Sequence, residues 1–165
     1  MASFIAAGRN YCELFAGPQP PPEEWCGAAL WCLSQLYLAA CALPETRWDE
    51  KLDRWENPFV LTDRDRARVT HVAEAMLGGA RRYRVWLDPR REPEEGEEPE
   101  EGDLVEDLAE VYREIKPGLT AARRAGARVL PRVVLAWKYP SFESSWGIVA
   151  LNAMRALHAL VYGRP

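Results

Sequence analysis

Histidine is scarce in this chain. Only His71 and His158 occur among the 165 residues, and no G-x-S-x-G, phosphate-loop, dinucleotide-binding glycine or H-E-x-x-H pattern is present. Histidine is the commonest general acid or base, and nucleophile and metal sites need spacings that are missing here. The sequence therefore predicts a protein that is not an enzyme and that carries no cofactor or metal.

A metal-dependent enzyme is the alternative from another functional class. Such a site would combine the carboxylates of Glu74, Glu110 and Glu114 with His71. His71 and Glu74 are three residues apart and share one face of a predicted helix. No neighbouring spacing supplies the further ligands that a metal ion needs, so an exposed or hydrogen-bonded histidine is the simpler interpretation.

The four cysteines have no pairing pattern. They stand at positions 12, 26, 32 and 41, which gives neither a C-x-x-C redox pair nor a zinc-binding spacing. Three of them fall in an apolar stretch, where free thiols behave as small hydrophobic side chains. Free thiols are typical of a reducing compartment, and the first residues lack the basic region of a signal peptide. We therefore expect a cytoplasmic protein.

Formal charge is absent from residues 25–43, which also contain no β-branched residue. Alanine and leucine dominate this stretch and Pro22 precedes it, so it is predicted to form a helix. The helix is apolar most of the way round, as expected of a helix in the centre of a bundle or in a membrane. Ser34 and Gln35 interrupt it and both flanks are acidic, which favours the bundle.

Helical spacing recurs along most of the rest of the chain. Five further helices are predicted, at 3–15, from a cap at Thr62 to Gly78, from a cap at Asp103 to a kink or break at Pro117-Gly118, through 129–140, and from a cap at Ser141 to Gly163. A short segment of two helical turns is predicted around 48–55. Residues 82–87 alternate like a strand, but a single strand makes no sheet, so we expect an extended segment. The predicted fold is all-α: one domain over residues 1–165, a compact bundle of five or six helices around a long central apolar helix.

Charge is divided sharply between two neighbouring segments. Residues 92–107 contain ten acidic side chains and no basic one, so we expect a mobile acidic loop at about 90–103. Residues 113–138 carry seven basic side chains against one acidic. The loop could fold back over this basic stripe, or the stripe could bind an acidic partner or nucleic acid. A net charge of −4 and the lack of a recognisable reading module argue against nucleic acid.

Surplus tryptophan suggests contact with another protein, because tryptophan and arginine are enriched at binding hot spots. The candidate partner-binding residues are Trp48, Trp55, Trp137, Arg123, Arg124 and Arg128. Our functional hypothesis is a non-catalytic cytoplasmic protein that acts by binding another protein, away from membranes. An immunity-like or antitoxin-like protein, whose acidic loop neutralises a basic partner, is the variant of this hypothesis.

Several segments resemble a known family. They are YCELF at 11–15, LSQLYLAACALPE at 33–45, YRVWLDP at 83–89, DLAEVYREIKPGL at 107–119 and WKYPSFESSWGIVALNAMRALHALVYG at 137–163. Together they make the chain similar to the bacterial all-helical domain-of-unknown-function family DUF5063. The resemblance implies an all-helical bacterial protein and no assigned activity, so it transfers no functional residues.

Overall fold

Six α-helices and one two-stranded sheet make up the part of the chain that the structure describes. The computed structural model describes residues 1–44, 60–85, 92, 94, 96–125 and 129–163. The helices are α1 (Ala2–Glu13), α2 (Pro22–Cys41), α3 (Asp63–Leu77), α4 (Leu104–Ala125), α5 (Leu130–Trp137) and α6 (Trp146–Tyr162), and the strands are β1 (Arg82–Val85) and β2 (Glu100–Asp103). The predicted helical bundle is confirmed. The helix predicted around 48–55 lies outside the described residues.

Local signals place several helix ends where they were predicted. Pro22 opens α2, where its missing N–H needs no partner. Thr62 caps α3, accepting a hydrogen bond from the backbone N–H of Asp65 at 3.1 Å. Gly78 follows α3 with φ at +52°, a backbone conformation that residues with a Cβ rarely adopt. These ends depend on residues close in sequence, which explains why the sequence indicates them.

Of the kink or break predicted at Pro117-Gly118, the break is wrong, because α4 continues through both residues. Pro117 lacks the N–H that would complete one helical hydrogen bond. Ile115 and Leu119 are nevertheless buried on either side of it, and both lie against Gly8 of α1. Helix α4 also packs against α3, α5 and α6. Tertiary packing therefore holds the helix together across the proline.

A corner joins α5 to α6. Tyr139 has an extended backbone (φ −128°, ψ 132°), the conformation favoured before a proline, and the chain cannot continue α5 as a regular helix there. The predicted start of the last helix at Ser141 is wrong, because α6 begins at Trp146, preceded by Ser145. Ser145 precedes α6 but makes no side-chain cap hydrogen bond, and the hydroxyl groups of Ser141 and Ser145 donate to Glu114 and Glu110 of α4.

The end of the acidic segment is ordered as a strand. Strand β2 pairs antiparallel with β1, with Arg82 opposite Asp103 and Val85 opposite Glu100. The predictions of an unpaired extended segment at 82–85 and of a mobile loop at 100–103 are therefore wrong. A Cβ on Gly102 would lie 2.3 Å from the Tyr83 ring, so glycine permits the two strands to approach.

Helix α2 is buried along one side only. Its core side packs against α1, α3 and α6, and Ser34 donates a hydrogen bond to the Leu30 carbonyl at 2.7 Å. Cys26 is buried and Cys32 half-buried, but Cys41 is exposed, which corrects the expectation that every thiol in this helix is buried. None of the helices in the described ranges combines the length and apolarity needed to cross a membrane.

Candidate functional site

The structure divides the predicted partner-binding residues. Trp48, Trp55 and Arg128 lie outside the described residues. Arg123 and Arg124 are exposed in the last turn of α4. These two arginines are therefore on the surface, as partner binding requires.

Trp137 requires a correction, because it belongs to the core. Its side chain is 2% exposed, its ring centroid lies 4.6 Å from that of Phe4, and a Cβ on Gly118 would lie 2.5 Å from it. Its backbone carbonyl also accepts a hydrogen bond from the Trp146 indole N–H at 3.0 Å. The prediction that Trp137 presents its indole to a partner is therefore wrong.

The residues of the alternative metal site are not brought together as a metal cage. His71 is exposed on α3, and Glu74 forms an ion pair with Arg81 at 3.2 Å. Glu110 and Glu114 lie on α4. Among the described residues, no three His, Cys, Asp or Glu side chains converge as metal ligands. What the structure forms instead is a row of carboxylates with protein partners.

This row, the α4 carboxylate row, consists of Asp103, Asp107, Glu110 and Glu114. Steps of four, three and four residues keep them on one side of the helix. Each accepts a hydrogen bond from another element: Asp103 from Arg81 at 2.6 Å, Asp107 from Tyr83, Glu110 from Ser145 at 2.9 Å and Glu114 from Ser141 at 2.6 Å. The row therefore ties the hairpin and the α5–α6 corner to α4.

Asp107 of this row has an altered proton affinity. Burial raises the pKa of Asp107 to about 6, partly opposed by the hydrogen bond from the Tyr83 hydroxyl and reinforced by Glu110 and Asp103. Burial and the Asp107 carboxylate also raise the pKa of Tyr83 above its ordinary value. The pair can therefore hold a proton near neutral pH.

Replacing Asp107 by Asn should remove a pH dependence of stability. A folded-state pKa of about 6, above the ordinary 3.8, means that the protonated group favours the folded state below pH 4 and that this contribution is lost as the pH rises through 6. Partial exposure reduces the effect to about 1–2 kcal/mol. The free energy of unfolding of Asp107→Asn, minus that of the parent protein, should therefore rise by this amount between pH 4 and pH 7. Urea titrations at each pH measure it.

A matched control for this measurement is Glu106→Gln, since Glu106 is exposed on the same turn. Its free energy of unfolding should stay within about 0.5 kcal/mol of the parent value at each pH. Parallel profiles for Asp107→Asn and the parent protein would show that Asp107 titrates normally.

Besides the α4 carboxylate row, the second candidate site is an apolar surface on α2. The α2 outer face consists of Trp31, Gln35, Leu38 and Ala42, which recur at one-sided helical spacing and are all exposed. Trp31 is 66% exposed and Leu38 is 65% exposed. The residues that α2 buries lie on the opposite side of the helix: Trp25, Ala29, Leu33, Leu36 and Ala40.

Sequence reasoning missed Trp31 and Leu38 as surface residues. Both lie inside the uncharged stretch, which has apolar residues around most of its circumference, so the spacing does not show which side faces water. It also missed Asp107 and its partner Tyr83. The spacing of the four carboxylates was a usable signal for the row, but the partners come from segments distant in sequence.

The fold and these surfaces define a mostly helical protein with a small antiparallel hairpin, a helix with one exposed apolar side and a paired row of carboxylates. The chain belongs to the family described as "Domain of unknown function (DUF5063)", whose model matches residues 1–163. The resemblance seen in the sequence is thereby confirmed.

Comparison with solved structures supports the fold. The chain is similar to the crystal structure of protein BF1032 from Bacteroides fragilis, with a TM-score of 0.74 and 21% sequence identity. The match covers 98% of this chain and 94% of that chain. At this identity the likeness shows the fold alone. No curated protein matches the chain.

Proposed function

We propose that this protein is a non-catalytic cytoplasmic protein that binds another protein along the α2 outer face. The exposure of Trp31 and Leu38 is the observation that carries this proposal. Tryptophan is the residue most enriched at binding hot spots, where a few side chains supply most of the affinity. The free cysteines, among them the exposed Cys41, support a reducing compartment.

Burial of these two side chains would supply a substantial driving force. Removing a large apolar side chain from water contributes roughly 1.5–3 kcal/mol. Trp31 and Leu38 are seven residues apart, two turns of helix, so one partner element lying along α2 can cover both. A helical partner with apolar residues at matching spacing fits this geometry.

The charges of α2 indicate which charged residues a partner should carry. Glu23 and Glu24 are exposed in the first turn of α2, whereas residues 25–43 carry no formal charge. The chain as a whole carries a net charge of −4. We therefore commit to a partner helix with an apolar stripe and with basic residues at the end that meets Glu23 and Glu24, where opposite charges favour the correct orientation.

A photocrosslinking experiment tests this proposal in the cell. A photoreactive phenylalanine analogue replaces Trp31 in one strain and Val60 in another, because Val60 is 79% exposed but lies outside α2. We expect one crosslinked protein at position 31 and none at position 60. Leu38→Glu, placed in the same chain as the position 31 probe, should remove this crosslink, and the purified pair should then bind with the same dependence on Leu38.

Two results would contradict the proposal. Crosslinks that are the same at positions 31 and 60, or that persist with Leu38→Glu, would show that the α2 outer face does not select a partner. A crosslink only to a second copy of the chain, with a dimer in solution, would replace the heterologous partner by self-association.

An immunity-like or antitoxin-like role is the second candidate. It is favoured by the exposed carboxylates of the acidic segment, including Glu98, Glu100 and Glu101. A basic partner on this surface would bind more weakly as salt is raised, since exposed charges are screened. Glu98→Gln combined with Glu100→Gln would then abolish binding, whereas Leu38→Glu would leave it unchanged, which separates the two candidates.

A further inference from the structure

A cleft lies where α1, α3 and α4 meet. Its volume is about 340 Å³, at the lower end of the roughly 300–1,000 Å³ typical of small-molecule sites. Four cationic side chains from the three helices line it, together with one carboxylate: Arg9, Arg68, Lys116, Arg123 and Glu13. The charged groups of this basic cleft carry a net formal charge of +3.

Three of the four cations form no ion pair with any residue that the structure describes. Within the described residues, Arg9, Lys116 and Arg123 form no ion pair, and the Lys116 ammonium lies 5.8 Å from the centre of the Tyr112 ring. Cys12 adds no negative charge, because burial raises the pKa of its thiol to about 12. Like charges that converge without neutralisation favour the binding of an anion.

Arg68 is held in place with an unused donor. One of its terminal nitrogens donates to Asp65 at 2.7 Å and to the Tyr112 hydroxyl at 3.1 Å. Its Nε is buried and has no hydrogen-bond partner in the described structure. Arg68 lines the cleft, and the two hydrogen bonds of its terminal nitrogen fix its position there.

The acidic segment does not neutralise this site where the structure describes it. Strand β2 ends at Asp103, at the N-terminal end of α4, whereas Lys116 is thirteen residues further along. At about 1.5 Å per residue they are separated by roughly 20 Å along the helix, well beyond the screening length of about 8–10 Å. Strand β2, the ordered part of the acidic segment, therefore lies too far along α4 to neutralise the basic cleft.

We infer that the basic cleft binds a small phosphorylated compound through Arg9, Arg68, Lys116 and Arg123. Arginine matches a phosphate group with two parallel hydrogen bonds, and lysine adds a compact charge. The Glu13 carboxylate can accept a hydrogen bond from a hydroxyl group but not from a fully ionised phosphate, which favours a ligand that carries phosphate on a sugar. This site involves α1, α3 and α4 and is independent of the α2 outer face.

Calorimetric titration of the full chain with pyrophosphate, and separately with ATP, tests this inference. We expect binding at one site at low ionic strength. Arg9→Ala and Arg123→Ala should each weaken it about tenfold, as the loss of one charge-assisted contact does. Arg66→Ala removes an exposed charge of α3 that does not line the cleft, and it should change affinity by less than about twofold.

Glu13→Gln gives a change of opposite sign. Glu13 is the one carboxylate among the described residues that line the cleft, and its removal should tighten pyrophosphate binding, which a variant that merely disturbs the fold would not do. The absence of binding by both pyrophosphate and ATP at millimolar concentration would overturn the inference, as would equal losses in Arg66→Ala and Arg123→Ala. A single-stranded oligonucleotide that binds more tightly than either compound would overturn it too, and would identify a nucleic-acid surface instead.

Discussion

Trp137→Ala should lower the free energy of unfolding by about 3–5 kcal/mol, the usual cost of removing a buried tryptophan side chain. The indole is 2% exposed and packs on Phe4 and on the backbone of α4 at Gly118. Since 1 kcal/mol shifts the melting temperature of a domain of this size by about 2–4 °C, the midpoint should fall by roughly 10 °C. Thermal and urea unfolding followed by circular dichroism measure both quantities.

Trp31→Ala is the matched control, because the same side chain is 66% exposed there. Its free energy of unfolding should change by no more than about 0.5 kcal/mol. Trp137→Phe should cost less than Trp137→Ala, since the buried indole N–H of Trp137 has no hydrogen-bond partner to lose. Small and equal effects for Trp137→Ala and Trp31→Ala would place Trp137 on the surface in solution and restore its predicted role in partner binding.

Trp137 also shows how far sequence reasoning reaches in this chain. Its position beside Lys138 in a basic stretch made it a surface candidate, yet neighbouring side chains at positions 133 to 135 are buried as well. Whether a large aromatic is core or surface is decided by what lies opposite it, here Phe4 and Gly118. Neither residue is near it in the sequence.

The helices themselves were largely predictable because their starts and stops are local. The Thr62 cap, Gly78 after α3 and Pro131 in the first turn of α5 all act through adjacent backbone groups. The errors came where distant groups compete with local ones. Ser141 is a residue type that often caps helices, but α6 does not begin there. Its hydroxyl group donates to the Glu114 carboxylate, with 2.6 Å between the two oxygens.

The candidate sites were less predictable than the fold. The basic stripe indicated Arg123, but Arg9 and Arg68 reach the basic cleft from two other helices. The α2 outer face was hidden in a stretch whose composition is the same on both sides. Surfaces assembled from separate elements depend on how helices pack, which single-sequence spacing does not specify.

Asp103 is the residue whose loss should most disturb the contact between the hairpin and α4. It is 5% exposed, accepts hydrogen bonds from Nε and Nη2 of Arg81 at 3.0 and 2.6 Å, and accepts another from the backbone N–H of Val105 at 2.9 Å. Asp103→Ala should lower the free energy of unfolding by about 2–4 kcal/mol, because it removes a helix cap and a buried acceptor together. Urea unfolding gives the value directly.

Two further variants separate the contributions of Asp103. Asp103→Asn keeps an oxygen for the Val105 N–H but loses the charge opposite Arg81, so its loss of stability should lie between that of Asp103→Ala and zero. Glu101 lies in the same strand as Asp103, and its exposed carboxylate is 3.4 Å from Arg82 of β1. Glu101→Ala should lower the free energy of unfolding by less than about 0.5 kcal/mol.

Hydrogen exchange should show where this stability is lost. Amides of β1 and β2 should exchange faster in Asp103→Ala, because the hairpin loses its tie to the start of α4, while amides in the middle of α4 should open only with global unfolding. Equal stability of Asp103→Ala and Glu101→Ala would mean that the Asp103 carboxylate does not hold the hairpin in place. In that case the ordering of residues 100–103 would rest on the fit of Gly102 against Tyr83 rather than on charge.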